Sequence, residues 1–399
     1  MTSQNPVVES SEYAYKETNL VQIDANGVKV AANYIRRKLE QGSYTPRTWR
    51  THPLHICAPE PYDPSHPLTK TVFDWIFLIS SLNFSFWSPL EGKKERYGVE
   101  WYTSWDETKE DAGGRRQVFT GYWSLVASLD RALWDEDIPL VKPEFYSSEA
   151  MCPDSLLEHV FRPAQQSTEN MPLIHDRIRI MREVGFILCN SFGGSFKGFI
   201  DEFHRRYHGQ GSALDLVKMV TDTFPSFRDQ VWYQGRTVYF WKRAQILVAE
   251  LWAAFYPEFP STPHPLFPGP LGPRIHELTM FADYRVPQIL HHLRILDYPS
   301  SLMHLLKSGA DLPPGCREEV SLRAASITAV ERVRDKIVQA LSSSCPDQGE
   351  PERIEVVSSV IIDFYLWDLA KRIENGEERV EGIETSDLAP IHHTRSIWY

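Results

Sequence analysis

Asp283 stands within Phe281-Ala282-Asp283-Tyr284-Arg285-Val286-Pro287-Gln288, at a junction between chain segments. Pro287 lacks an N–H and suits the first turn of a helix, whose leading donors have no partner inside it. The residue before a proline is biased towards extended geometry, so Val286 is predicted to close the preceding segment. Ile289, Leu290, Leu293 and Leu296 then recur with helical spacing. A carboxylate between Phe281 and Tyr284, aimed by two rigid elements, suits an acid, a base or a stabiliser of positive charge. The plainer alternative is a helix-entry Asp that accepts backbone N–H bonds and pairs with Arg285.

Two further aspartates lie in Val356–Ile373, a stretch apolar round most of its circumference. Asp363 and Asp368 are five residues apart, so on a helix they point about 140° from each other. Asp368 has Lys371 and Arg372 at i+3 and i+4, which provides an ion pair without any ligand. Asp363 has no such cation, and a buried carboxyl needs a partner or a raised pKa. Lys242 and Arg243 open the helical stretch Phe240–Phe255, where the macrodipole disfavours cations unless an anion is close. They are either an exposed basic pair or an anion site.

The elements that must position these residues are mostly helices. Helical patterns cover 27–39, 71–87, 121–140, 154–162, 174–192, 212–224, 240–255, 316–341 and 356–373. Thr71–Trp87 is apolar on nearly every face and is predicted to be buried on all sides. Its end, Asn83-Phe84-Ser85-Phe86-Trp87, offers flat rings and an amide that both donates and accepts, which suits a heterocycle or a satisfied core. The loop 42–68 holds His52 and His55 among prolines, as substrate contacts or as loop residues bonded to carbonyls. Gly193-Gly194 reads as a tight turn between helices and secondarily as an anion-binding hairpin. The charged 91–117 stretch reads as a surface hairpin, and seven prolines between 257 and 273 exclude a helix there. Residues 1–16 read as a flexible arm, with 17–399 as one domain.

Composition narrows the classes. The chain has 399 residues, 42% hydrophobic, and a net charge of −11. An acidic chain is a poor general binder of nucleic acid, so a small nucleotide is favoured over a polymer and no stable nucleic-acid complex is expected. Five scattered cysteines (57, 152, 189, 316, 345) form no zinc spacing and fit free thiols. The N-terminus is no secretory signal and no apolar run spans a bilayer, which points to the cytoplasm or nucleus. P-loop, nucleophile-elbow, HExxH and dinucleotide patterns are absent from the sequence.

Four separated segments, LNFSFW at 82–87, FWKRAQILVAELW at 240–252, FADYRVPQIL at 281–290 and IIDFYLWDLAKR at 361–372, resemble the queuosine salvage protein family. The resemblance implies hydrolysis of the N-glycosidic bond of queuosine 5′-monophosphate with release of queuine. It also implies a mainly α, multi-helix fold similar to helix-hairpin-helix DNA glycosylases, and no metal or organic cofactor. On that basis Asp283 is the catalytic carboxylate and Lys242 holds the phosphate. Phe281, Phe86 and Asn83 shape the base slot. Asp363 or Asp368 accepts hydrogen bonds from base or sugar, and Arg285 and His55 complete the substrate contacts. A nucleic-acid base-excision enzyme and a non-catalytic helical interaction protein are the alternatives.

Overall fold

The computed structural model describes residues 5–42, 44–105, 114–259, 261–344 and 357–399. Cys345 and the centre of the 91–117 stretch lie outside the described residues. In chain order the helices are α1 (Pro6–Thr18), α2 (Ala25–Glu40), α3 (Pro67–Leu82), α4 (Tyr122–Trp134), α5 (Pro143–Tyr146), α6 (Asp154–Val160) and α7 (Ile174–Ser191). There follow α8 (Phe196–Tyr207), α9 (Ala213–Thr223), α10 (Lys242–Ala254), α11 (Val286–His292), α12 (Ser300–Lys307), α13 (Arg317–Ser344) and α14 (Ser359–Glu374). Three two-stranded antiparallel sheets complete it: β1 (Gln22–Ile23) with β6 (Leu296–Asp297), β2 (Gly98–Tyr102) with β3 (Arg116–Thr120), and β4 (Gln230–Tyr233) with β5 (Arg236–Tyr239). The fold is mainly helical, and among the described residues no helix is long and apolar enough to cross a membrane.

Residues predicted to be an arm instead build α1. Asn5 accepts the Val7 N–H at 3.0 Å as N-cap, Pro6 starts the helix, and Asn19 ends it in the left-handed region. Val7 and Ala14 are fully buried, and α1 packs on α13. The stretch is polar overall, but one small-residue face suffices to dock it.

α3 ends at Leu82 rather than Trp87. Ser85 takes φ 56°, its N–H donates to the Tyr399 carbonyl at 2.9 Å, and the buried Arg177 guanidinium binds the carbonyls of Leu82 and Phe84. A distant arginine thus takes the carbonyls that further helical turns would have used, and Asn83–Trp87 runs as irregular chain. α3 packs against α10, whose every residue is buried. Gly193 and Gly194, both at positive φ, form the turn between α7 and α8.

Candidate active site

A cleft enclosing about 980 Å³, its open mouth included, lies where α10, α14, the start of α4, the Asn83–Phe86 segment and the Phe281–Arg285 segment meet. α10 contributes Lys242, Ile246 and Glu250, a stripe at i, i+4 and i+8. α14 contributes Asp363, Trp367 and Lys371 with the same spacing.

Asp283 sits immediately before α11 and is 8% exposed. Its Oδ1 accepts the N–H groups of Arg285 and Val286, each at 2.8 Å. The helix-entry arrangement is therefore present, and it fixes a carboxylate that faces the cleft. Val286 is the first residue of α11 rather than the last of the preceding segment, and Pro287 lies in the first turn. Asp363 Oδ1 accepts the Phe281 N–H at 2.9 Å, which ties α14 to the Asp283 segment. Burial, reinforced by the nearby Asp283 charge, pushes the Asp363 carboxyl well above the usual carboxylate range. Lys242 is 5% exposed and donates to the Asn83 carbonyl at 3.3 Å. Burial lowers its ammonium to about 8, opposed by Asp283 and worsened by Arg243 and Arg323. Two carboxyls and one ammonium thus form a buried cluster on the cleft lining.

Phe281, Asn83, Phe86 and Arg285 also line the cleft. Arg285 does not pair with Asp283 through its side chain; its guanidinium donates to Glu374 at 2.9 Å. His55 lines the cleft with its ring stacked on Trp49, centroids 4.1 Å apart. Its Nδ1 lies 2.7 Å from the Trp49 carbonyl, which can only accept, so Nδ1 carries the hydrogen. Burial lowers its pKa to about 3, leaving a neutral ring whose Nε2 is an acceptor without a partner among the described residues. Asp368 stands apart. It is not a lining residue, and it pairs with Arg372 at 3.3 Å on the half-exposed side of α14. The angular offset from Asp363 turns it away from the cleft. No group of three or more His, Cys, Asp or Glu side chains among the described residues forms a metal site.

Residues 63–399 match the family described as queuosine salvage protein. The chain belongs to that family. A relative from Schizosaccharomyces pombe, called queuosine 5′-phosphate N-glycosylase/hydrolase, is 35% identical over 98% of this chain and 99% of its own. Relatives of the same name from Bos taurus and Sphaerobacter thermophilus are each 32% identical, over 98% of this chain and 98% and 97% of theirs.

In this queuosine salvage protein, sequence reasoning passed over Glu250, Tyr122, Arg96 and Lys371, all of which line the cleft. Glu250 had a legible signal: it is the one acidic residue in an apolar helix, with Ile246 and Ala254 at i−4 and i+4. Its carboxyl accepts hydroxyls from Tyr122 at 3.2 Å and Ser80 at 3.3 Å. Burial raises it from 4.5 to about 7, against those bonds and the Lys242 charge. The folded state therefore holds this proton more tightly than the unfolded chain. That contribution to stability is complete below pH 4.5 and is lost as pH rises through 7. The difference amounts to about 3 kcal/mol. Glu250→Gln, which keeps an acceptor for one hydroxyl and offers the other an N–H as the protonated acid offers an O–H, is expected to exceed wild type in stability at pH 8 by about 1–3 kcal/mol and to match it at pH 4. Urea denaturation at the two pH values checks this, and an equal difference at both would refute it.

Proposed function

We propose that this protein hydrolyses the N-glycosidic bond of queuosine 5′-phosphate and releases queuine for salvage into tRNA modification. The observation that carries this reading is the Asp283 carboxylate, fixed by two backbone N–H groups in an aromatic cleft of a chain that belongs to the salvage family. As the C1′–N9 bond lengthens, positive charge grows on the sugar, and a preplaced carboxylate stabilises it. Water then gives its hydroxyl to C1′ and a proton goes to the departing base, so no redox partner is required. Asp283 stabilises the cationic sugar. Asp363, anchored on the Phe281 N–H and with its pKa raised by burial, hydrogen-bonds the base or a sugar hydroxyl. Lys242 balances the charge of Asp283 from 5% exposure. Phe281, Phe86 and Asn83 form the base slot, and His55 Nε2 accepts from a substrate donor.

The substrate is a small nucleotide rather than a nucleic acid, in keeping with the −11 net charge. Similarity to helix-hairpin-helix DNA glycosylases remains part of this reading. It is supported by the Gly193-Gly194 hairpin between two helices and by an aspartate at a helix entrance. The four free cysteines described favour the reducing cytoplasm.

The test is base release followed chromatographically, with queuosine 5′-phosphate and unphosphorylated queuosine offered separately. Wild type is expected to release queuine from the phosphate and at least tenfold more slowly from the nucleoside. Folded wild type that releases queuine from neither would end this reading.

A further inference from the structure

Five side chains of alternating charge run along one wall of the cleft. Arg96 donates to Glu91 at 2.5 Å, and Glu91 also faces Arg285 at 3.7 Å. Arg285 donates to Glu374 at 2.9 Å, and Lys371 reaches the same Glu374 oxygen at 3.4 Å. The series begins and ends on a cation, so three positive charges meet two negative ones. Their placement is unequal as well. Arg96, Arg285 and Lys371 line the cleft, whereas Glu91 and Glu374 do not. The carboxylates stand behind and the cations look inward.

Several features leave this wall short of an anion. Arg96 is 8% exposed, and its Nε is buried with no partner among the described residues. Lys371 is destabilised as a cation by burial and by repulsion from Arg285, with Arg96 adding to it. Gly121 lies beside it: a Cβ there would be 4.0 Å from the Lys371 ammonium. Gly121 opens the 13-residue helix α4 at φ +62°, and no side chain caps that end. The positive end of that helix, without a side-chain cap, therefore borders the same corner of the cleft.

We propose that Arg96, Arg285 and Lys371, with the start of α4 at Gly121, bind the 5′-phosphate of the nucleotide. This rests on the glycosidase reading above and replaces Lys242 as the phosphate ligand. Lys242 already has Asp283 as its leading charged partner, and that carboxylate would repel a phosphate. It belongs with the bond-breaking end. Arg285 is two residues from Asp283, and both line the cleft, so one chain segment carries the cationic wall and the carboxylate.

The experiment measures kcat/KM for queuosine 5′-phosphate and for queuosine in wild type, Lys371→Gln, Arg96→Gln, their double variant and Lys242→Met. Inorganic phosphate is titrated separately against the melting midpoint. Lys371→Gln and Arg96→Gln are each expected to shrink the preference for the phosphorylated substrate at least tenfold, chiefly through KM. Lys242→Met is expected to slow both substrates alike. Phosphate is expected to raise the midpoint of wild type and not that of the double variant. If Arg96→Gln fails to fold, Lys371→Gln alone decides, since Lys371 is only partly buried. A double variant that keeps its preference, or a Lys242→Met that alone abolishes it, overturns the assignment. If wild type hydrolyses neither compound, the reaction fails, and the midpoint titration still decides the anion site by itself.

Discussion

Asp283→Asn is expected to lower kcat for queuine release at least a thousandfold, about 4 kcal/mol of lost transition-state stabilisation. The effect is large because the carboxylate cannot be replaced locally. The other acid of the cluster, Asp363, is disfavoured as a carboxylate by burial and spends one oxygen on the Phe281 N–H. The substitution is also mild for the fold. An asparagine Oδ1 can still accept the N–H groups of Arg285 and Val286, the two bonds that Asp283 makes in entering α11. The melting midpoint is therefore expected to stay within about 3 °C of wild type. KM is expected to change little, since the charge acts on the cationic sugar of the transition state and not on the bound nucleotide. Single-turnover base release with a parallel thermal melt checks this. A folded Asp283→Asn that keeps a tenth of wild-type turnover would remove Asp283 from the chemistry and pass the role to Asp363.

How much of this site could be read in the sequence depends on what each residue announces locally. Asp363 and Lys242 are charges in apolar helices without a neighbouring counter-charge, and both line the cleft. Glu250 sends the same signal from the same helix as Lys242 and is equally legible. Asp368, with Arg372 four residues on, announced its own ion pair and makes it. Arg96 is different in kind. It sits in a stretch dense with charge, which reads as surface, yet it is 8% exposed because Glu91 and the cleft wall enclose it. Nothing within a few residues of Arg96 reports that. The same holds for the end of α3, where apolar residues continue past Leu82 but Arg177, nearly a hundred residues away, takes the carbonyls. Helices with strong periodicity and caps, such as α9 behind Ser212, follow from local chemistry alone. Breaks imposed by distant guanidinium groups do not.

The second large effect concerns what holds the two ends of the cluster in register. Asp229 and Arg323 are each 2% exposed and meet at 2.5 and 3.1 Å. Asp229 also accepts the Lys242 N–H at 3.2 Å, while its carbonyl takes the N–H groups of Phe240 and Trp241, so one residue terminates the chain leading into α10. Arg323, on α13, donates to the Ala282 carbonyl at 3.0 Å and lies against the rings of Phe240 and Tyr399. One ion pair thus sets both the start of the Lys242 helix and the residue before Asp283. Asp229→Ala leaves a buried guanidinium with Glu319, at 3.4 Å, as its one remaining ionic partner among the described residues and removes the acceptor for the Lys242 N–H. The expected loss is about 3–5 kcal/mol. It should appear as a lower urea midpoint with an unchanged slope. Adding Arg323→Met to Asp229→Ala removes the stranded charge. The double variant is therefore expected to lose less than the sum of the two single losses, by about 1–3 kcal/mol. Additive losses would mean that the two residues stabilise the fold independently, and that the pair does not hold Lys242 and Asp283 in register.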